Sequence, residues 1–128
     1  MAEHESGLQR EPAIRTLARL ADANASGDIF GGWLLSQMDI AGGIAAHDRA
    51  NGRVATVAIE AMEFHLPVFV GDLISCYTEI TRVGTTSITI HVVTEARRRD
   101  GGETIKVTEG TFIFVALDGE GRPRPVDG

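Results

Sequence analysis

Only one segment of this chain carries apolar residues at helical spacing. Leu34, Met38, Ala41 and Ala45 recur at intervals of three and four, with Ile40 and Ile44 widening the stripe. Asn51-Gly52 closes that segment as a helix C-terminus does. Every other periodic stretch alternates as strands do. A lone helix covers one face of a five-stranded sheet, so the fold is expected to be α+β. Strands that are apolar on both faces then need a second cover, and in a chain of 128 residues the simplest cover is another copy of itself. Gly42 and Gly43 each cost this helix about 1 kcal/mol relative to alanine. Close approach to a sheet or to another subunit is the expected compensation.

The strands are expected at Ala13–Leu20, Val54–Phe64, Leu73–Val83, Thr85–Ala96 and from Glu103 to about Leu117. In the first, Ile14, Thr16, Ala18 and Leu20 fall on one side and Arg15 and Arg19 on the other. Val54–Phe64 is apolar on both faces apart from Thr56, Glu60 and Glu63, which predicts a central or interfacial strand. Gly84 and Asp100-Gly101-Gly102 mark the tight turns between the later strands. Residues 1–11 are expected to be a loose polar arm, 12–118 the folded domain and 119–128 a turn-rich tail.

A net charge of −6 argues against broad nucleic-acid binding, which needs a positive surface. A small anionic ligand needs only a local basic cluster. Cys76, the single cysteine, allows no internal disulfide and fits a reducing compartment. The acidic start resembles no signal or transit peptide, and no apolar run approaches the ~20 residues of a membrane span, so a cytoplasmic location is expected.

Ahead of the helix lies Asp22-Ala-Asn24-Ala-Ser26-Gly27-Asp28-Ile-Phe30-Gly31-Gly32-Trp33. Two carboxylates and an amide thus stand beside a helix N-terminus, where backbone N–H groups are unpaired and carry the positive end of the helix dipole. Such a place suits the oxygen of a polarised carbonyl, with Asp28 near enough to act on it. It is equally an ordinary way to begin a helix, with Asp28 as N-cap.

The segment Asn24-Ala-Ser-Gly-Asp28-Ile-Phe-Gly31-Gly32-Trp33, followed by Met38-Asp39, resembles the signature of hotdog-fold acyl-CoA thioesterases, most nearly the short bacterial YciA-like enzymes. Val54-Ala-Thr-Val-Ala-Ile-Glu60, Met62-Glu-Phe64, Pro67, Val70-Gly71-Asp72, Val83-Gly84-Thr-Thr-Ser87-Ile and Phe112-Ile-Phe-Val-Ala116 extend the likeness over roughly residues 12–126. The resemblance implies a long helix wrapped by a five-stranded antiparallel sheet. It also implies dimers sharing two active sites, commonly assembled as trimers of dimers, and acyl-CoA as substrate with no separate cofactor.

Thioester cleavage needs donors for the developing oxyanion and a base to activate water. The resemblance puts the Gly32 N–H, with Gly31, in the first role and Asp28 in the second. Direct attack by Asp28 through a mixed anhydride is a further route. Asn24 is a candidate to orient water or the thioester, set against loop-fixing Asx-turn chemistry. Asp22 is expected to form a turn, and Asp39 and Gln37 to face solvent or an interface. Glu60, on an apolar strand, must be paired or lie at an edge. Gly84-Thr85-Thr86-Ser87 is a candidate cradle for the coenzyme A phosphates, set against an ordinary hairpin. The family pattern often has a basic residue where this chain has Thr85, which shifts that contact toward Arg82 or Arg53. Arg97-Arg98-Arg99 reads as a solvated hairpin shoulder, with a nucleotide phosphate as the other option.

No Gly-x-Ser-x-Gly elbow is present, so a serine-triad hydrolase is not expected. His4, His47, His65 and His91 share no metal-ligand spacing with Cys76 or a second carboxylate, and no metal is expected. Cys76 alternates into an apolar strand as an inert core thiol. Nothing in the sequence sets His65 opposite an acid, which disfavours a hotdog dehydratase. A non-catalytic acyl-CoA-binding module is the other alternative to hydrolysis.

Overall fold

The computed structural model describes residues 8–9 and 11–128, so most of the expected N-terminal arm lies outside the described residues. Strand β1 (Ile14–Leu17) leads through a 3-10 turn (Leu20–Asp22) into helix α1 (Gly31–Ala50). Four strands follow: β2 (Val54–Phe64), β3 (Leu73–Val83), β4 (Ser87–Arg97) and β5 (Thr104–Ala116). They form a single antiparallel sheet in the order β1-β3-β4-β5-β2. This is the long helix against a five-stranded sheet that the family resemblance implies.

Helix α1 buries Leu34, Met38, Ala41, Gly42, Ala46 and Ala50 against the sheet. Its glycines are explained at Gly42, where a Cβ would stand 3.0 Å from the Phe114 ring. The buried Phe114 ring would have to shift to admit a side chain there. Asn51 adopts the left-handed conformation (φ 53°, ψ 46°) and, with Gly52, donates back to the His47 carbonyl, ending the helix as expected. Phe112, Phe114, Ile88, Ile90, Val92 and Ile74 supply the sheet's side of the core. Since Phe114 meets the helix, alternation turns Gly110 and Phe112 toward it and Glu109, Thr111 and Ile113 to the opposite face.

Strand β1 is shorter than the alternation suggests. After Ala18 the chain bends into its 3-10 turn, where the Asp22 carboxylate accepts the Arg19 N–H at 3.1 Å. Asp22 is thus the turn former expected. Gly101 and Gly102 both take positive φ, 92° and 96°, in the turn before β5.

Strand β2 is an edge strand, paired with β5 on one side only. Its apolar character on both faces follows from exposure that a single chain leaves uncovered: Val57 is 57% exposed and Phe64 54%. Ile59, Leu66, Phe69 and Phe30 are also exposed, as are Ile40 and Ile44 on the helix. A long apolar edge of this kind is a template for another strand. Glu60 lies on this edge, exposed, as a charge on an apolar strand must.

Residues 119–128 fold back rather than trailing away. Leu117 bridges Pro123, Val126 is buried, and the Arg124 guanidinium donates to the carbonyls of Leu117 (3.0 Å) and Ala50 (2.8 Å). Among the described residues, no helix is long and apolar enough to cross a membrane.

Candidate functional site

The loop before α1 is held by its own amide. Asn24 Oδ1 accepts the N–H groups of Ser26 (2.9 Å) and Asp28 (3.1 Å), and the Asn24 N–H donates to the Asp28 carbonyl at 2.7 Å. Gly27, at φ 90°, makes the reversal this tight loop demands. Asn24 therefore performs the Asx chemistry, and among the described residues its Nδ2 group has no hydrogen-bond partner. Asp28 and Phe69 form a β-bridge, and Ile29 donates to the Val68 carbonyl at 2.9 Å, docking the loop beside the β2–β3 connection.

Asp28 is not the N-cap. Phe30 holds that position, at φ −59° and ψ 136°, with no side-chain cap. Among the described residues, the Asp28 carboxylate is half-buried and has no side-chain hydrogen bond. The first helical N–H groups have no intrahelical acceptor, and Gly31 and Gly32 supply two of them. Gly31 and Gly32 are both exposed, and a Cβ on Gly32 would meet nothing within 4 Å, whereas one on Gly31 would meet the Phe64 ring at 3.4 Å. Asn24, Asp28, Gly31 and Gly32 are thus brought together at one end of the helix.

The candidate phosphate contacts lie at its other end. The carbonyls of Thr85 and Thr86 in the β3–β4 turn accept the N–H groups of Val126 (2.8 Å) and Ala116 (2.9 Å). Arg124 ties this region to Ala50, the last residue of α1. A 20-residue helix is about 30 Å long, which separates Gly84, Thr85, Thr86 and Ser87 from Gly32 within one chain. Arg53 lines a cleft of about 750 Å³ here, with Asn51, Leu117, Asp118 and Arg124. Arg82 is exposed beside a bulge of β3.

Two groupings were invisible in the linear order. Thr56, on β2, donates its hydroxyl to Asp39 Oδ1 at 2.6 Å, so the helix carboxylate is held against the edge strand. The expectation that no acid faces His65 is corrected: His65 Nε2 lies 2.8 Å from Glu109 Oε2, and His91 Nε2 lies 3.0 Å from Glu109 Oε1. This cluster occupies the sheet face turned away from α1, so within one chain it does not supply the helix N-terminus with an acid–base pair. Arg98 is tied into the fold: it pairs with buried Asp72, donates to the Pro67 carbonyl at 3.2 Å and lies over the Phe69 ring. Cys76 is fully buried beside Thr94, and burial pushes its thiol up to about 11, the inert state expected.

Residues 26–104 match the model of the thioesterase superfamily. The acyl-CoA thioester hydrolase YciA of Salmonella typhimurium is 51% identical over 129 residues, covering 98% of this chain and 97% of the relative. A hexameric broad-specificity acyl-coenzyme A thioesterase, solved as an aspartate-to-alanine mutant, superposes with a TM-score of 0.88 at 45% identity, over 92% of this chain and 87% of that one. The hexameric thioesterase of Yersinia pestis gives 0.87 at 48%, over 90% and 93%. Helix, sheet order, glycine-fronted loop and these likenesses agree, and the chain belongs to the thioesterase superfamily.

Proposed function

We propose that this protein hydrolyses acyl-CoA thioesters to the free carboxylic acid and coenzyme A, acting in the cytoplasm as a homohexamer built from dimers. The carrying observation is the pair of exposed glycines Gly31 and Gly32, whose amides have no hydrogen-bond partner among the described residues and which closely follow Asp28, in a chain half identical to acyl-CoA thioester hydrolases. The Gly32 N–H polarises the thioester carbonyl and stabilises the oxyanion formed when water adds. One such donor is worth about 3–4 kcal/mol in the transition state. A carboxylate takes the proton from water, the tetrahedral adduct collapses, and the C–S bond breaks to release the coenzyme A thiol. As drawn, the chemistry asks for no further cofactor.

Two carboxylates meet the requirement in different ways. Asp28 precedes Gly32 by four residues and would act within its own chain. Asp39 follows Gly32 by seven residues, about 10 Å along the helix, so it would act on a carbonyl held by another subunit. A general base is effective when a third group orients it. Thr56 does this for Asp39 at 2.6 Å, whereas Asp28 has no such partner among the described residues. The Asp39–Thr56 pair also sits where α1 meets the uncovered edge strand, the surface a second copy would close. We therefore favour Asp39 across the dimer and keep Asp28 as the reading within one chain.

The same dimer resolves the 30 Å separation of the two ends. The nucleotide of a substrate seated at one helix start would meet the partner's β3–β4 turn and cleft, with Arg53 or Arg82 beside Gly84–Ser87. Free-thiol release from acyl-CoAs of acetyl to palmitoyl length, by wild type, Asp28→Ala and Asp39→Ala, tests the proposal. Absence of thiol release with every substrate would refute hydrolysis and leave coenzyme A binding without turnover.

A further inference from the structure

We propose that Glu63, His65 and Glu109, with His91 as a fourth donor, form a binding site for a divalent transition-metal ion of the zinc type. The site lies on the sheet face opposite α1 and serves no step of hydrolysis. Ligand atoms of Glu63, His65 and Glu109 all fall within 4.8 Å of one another. His91 reaches the other oxygen of the same Glu109 carboxylate at 3.0 Å. One imidazole nitrogen and two carboxylates converge, with a second imidazole beside the shared carboxylate, a borderline-soft donor set suited to zinc, cobalt or nickel rather than magnesium or calcium.

The backbone builds this convergence. Ala61, at φ 51°, takes the left-handed conformation that alanine rarely adopts, and it forms a bulge between Glu60 and Glu63. Met62 packs over Gly110, where a Cβ would lie 2.5 Å from the Met62 Cε, so the glycine leaves room for the Met62 side chain at the bulge. Beyond it Glu63 falls directly opposite Glu109. His65 is fixed by its own N–H, which donates to the Val107 carbonyl at 2.8 Å.

Like charges directly opposite on neighbouring strands repel. Lys106 Nζ, 3.0 Å from Glu109 Oε2, offsets one of the two carboxylates and, with His65, pulls the Glu109 carboxyl down to about 2. Lys106 is half exposed on a flexible stem, so it can swing to solvent when a dication takes its place. The bound ion would staple the free end of edge strand β2 to β5 and β4.

The test uses untagged full-length protein stripped with a chelator, without substrate. Calorimetric titration with Zn²⁺ is expected to give one ion per chain, and Co²⁺ to give the visible absorption of nitrogen–oxygen coordination. His65→Ala and Glu109→Gln should each weaken Zn²⁺ by about tenfold or more, with folding checked by circular dichroism. His47→Ala, remote from the cluster, should leave binding unchanged. No binding of either ion, or undiminished binding in both ligand variants, would overturn the proposal.

Discussion

The hydroxyl of Thr56 donates to Asp39 Oδ1 at 2.6 Å, joining the middle of the helix to the free edge of the sheet. Thr56 lies on the edge strand, the side on which the proposed second copy would dock. If the pair orients the catalytic base, Thr56→Val should lower kcat by about tenfold or more with little change in KM, while Thr56→Ser retains most activity. Asp39→Ala should lose about 10²–10⁴-fold in kcat. Steady-state thiol release separates these outcomes from a purely structural role, which would lower melting temperature without the kcat effect.

Gly42 and Gly43 are neighbours with opposite expectations. A Cβ at Gly42 would meet the Phe114 ring at 3.0 Å, whereas at Gly43 the nearest ring atom is 3.8 Å away. Gly42→Ala should destabilise by about 1–3 kcal/mol through overpacking. Gly43→Ala should stabilise by about 0.5–1 kcal/mol through helix propensity. Thermal melts compared at fixed protein concentration should move in opposite directions.

Asp72 is 2% exposed, pairs with Arg98 and accepts the Phe69 N–H at 2.9 Å. Removing the guanidinium leaves a buried carboxylate short of its partner. Arg98→Ala is expected to cost about 3–5 kcal/mol, measured by urea unfolding. A change below about 1 kcal/mol would mean that this pair behaves like an exposed one.

Cys76 is fully buried and its thiol is pushed up to about 11, so the thiolate is scarce at neutral pH. The folded protein should resist an aromatic disulfide reagent at pH 8 and react stoichiometrically once unfolded. Rapid labelling of the native protein would show that β3 opens more readily than its packing indicates.

The helix and its end were legible because both signals are local: the apolar spacing from Leu34 to Ala45, and Asn51-Gly52 after it. The crowding behind Gly42 was legible too, since glycine in a helix needs a reason. The place of β2 was only half legible. An apolar strand reads alike whether it lies in the centre of one sheet or at an edge awaiting another chain. The Asp39–Thr56 and His65–Glu109 contacts span 17 and 44 residues. They depend on strand register and on the Ala61 bulge, neither of which leaves a mark in residue spacing. Asn24 illustrates the limit at a site: its type pointed equally to turn and to substrate, and only the two hydrogen bonds to Oδ1 show the turn.

Complementation between two inactive variants tests the shared site most directly. Asp39→Ala removes the favoured base, and Gly32→Pro removes the oxyanion donor at a helical position where proline is tolerated. Each alone should release almost no thiol from acyl-CoA. Co-expressed and purified as mixed oligomers, they should recover about a quarter of wild-type turnover, the share of sites that random pairing leaves intact in a two-fold dimer. Mixed oligomers as inactive as their parents would contradict a site built from two chains, and full turnover by Asp39→Ala alone would return the base to Asp28.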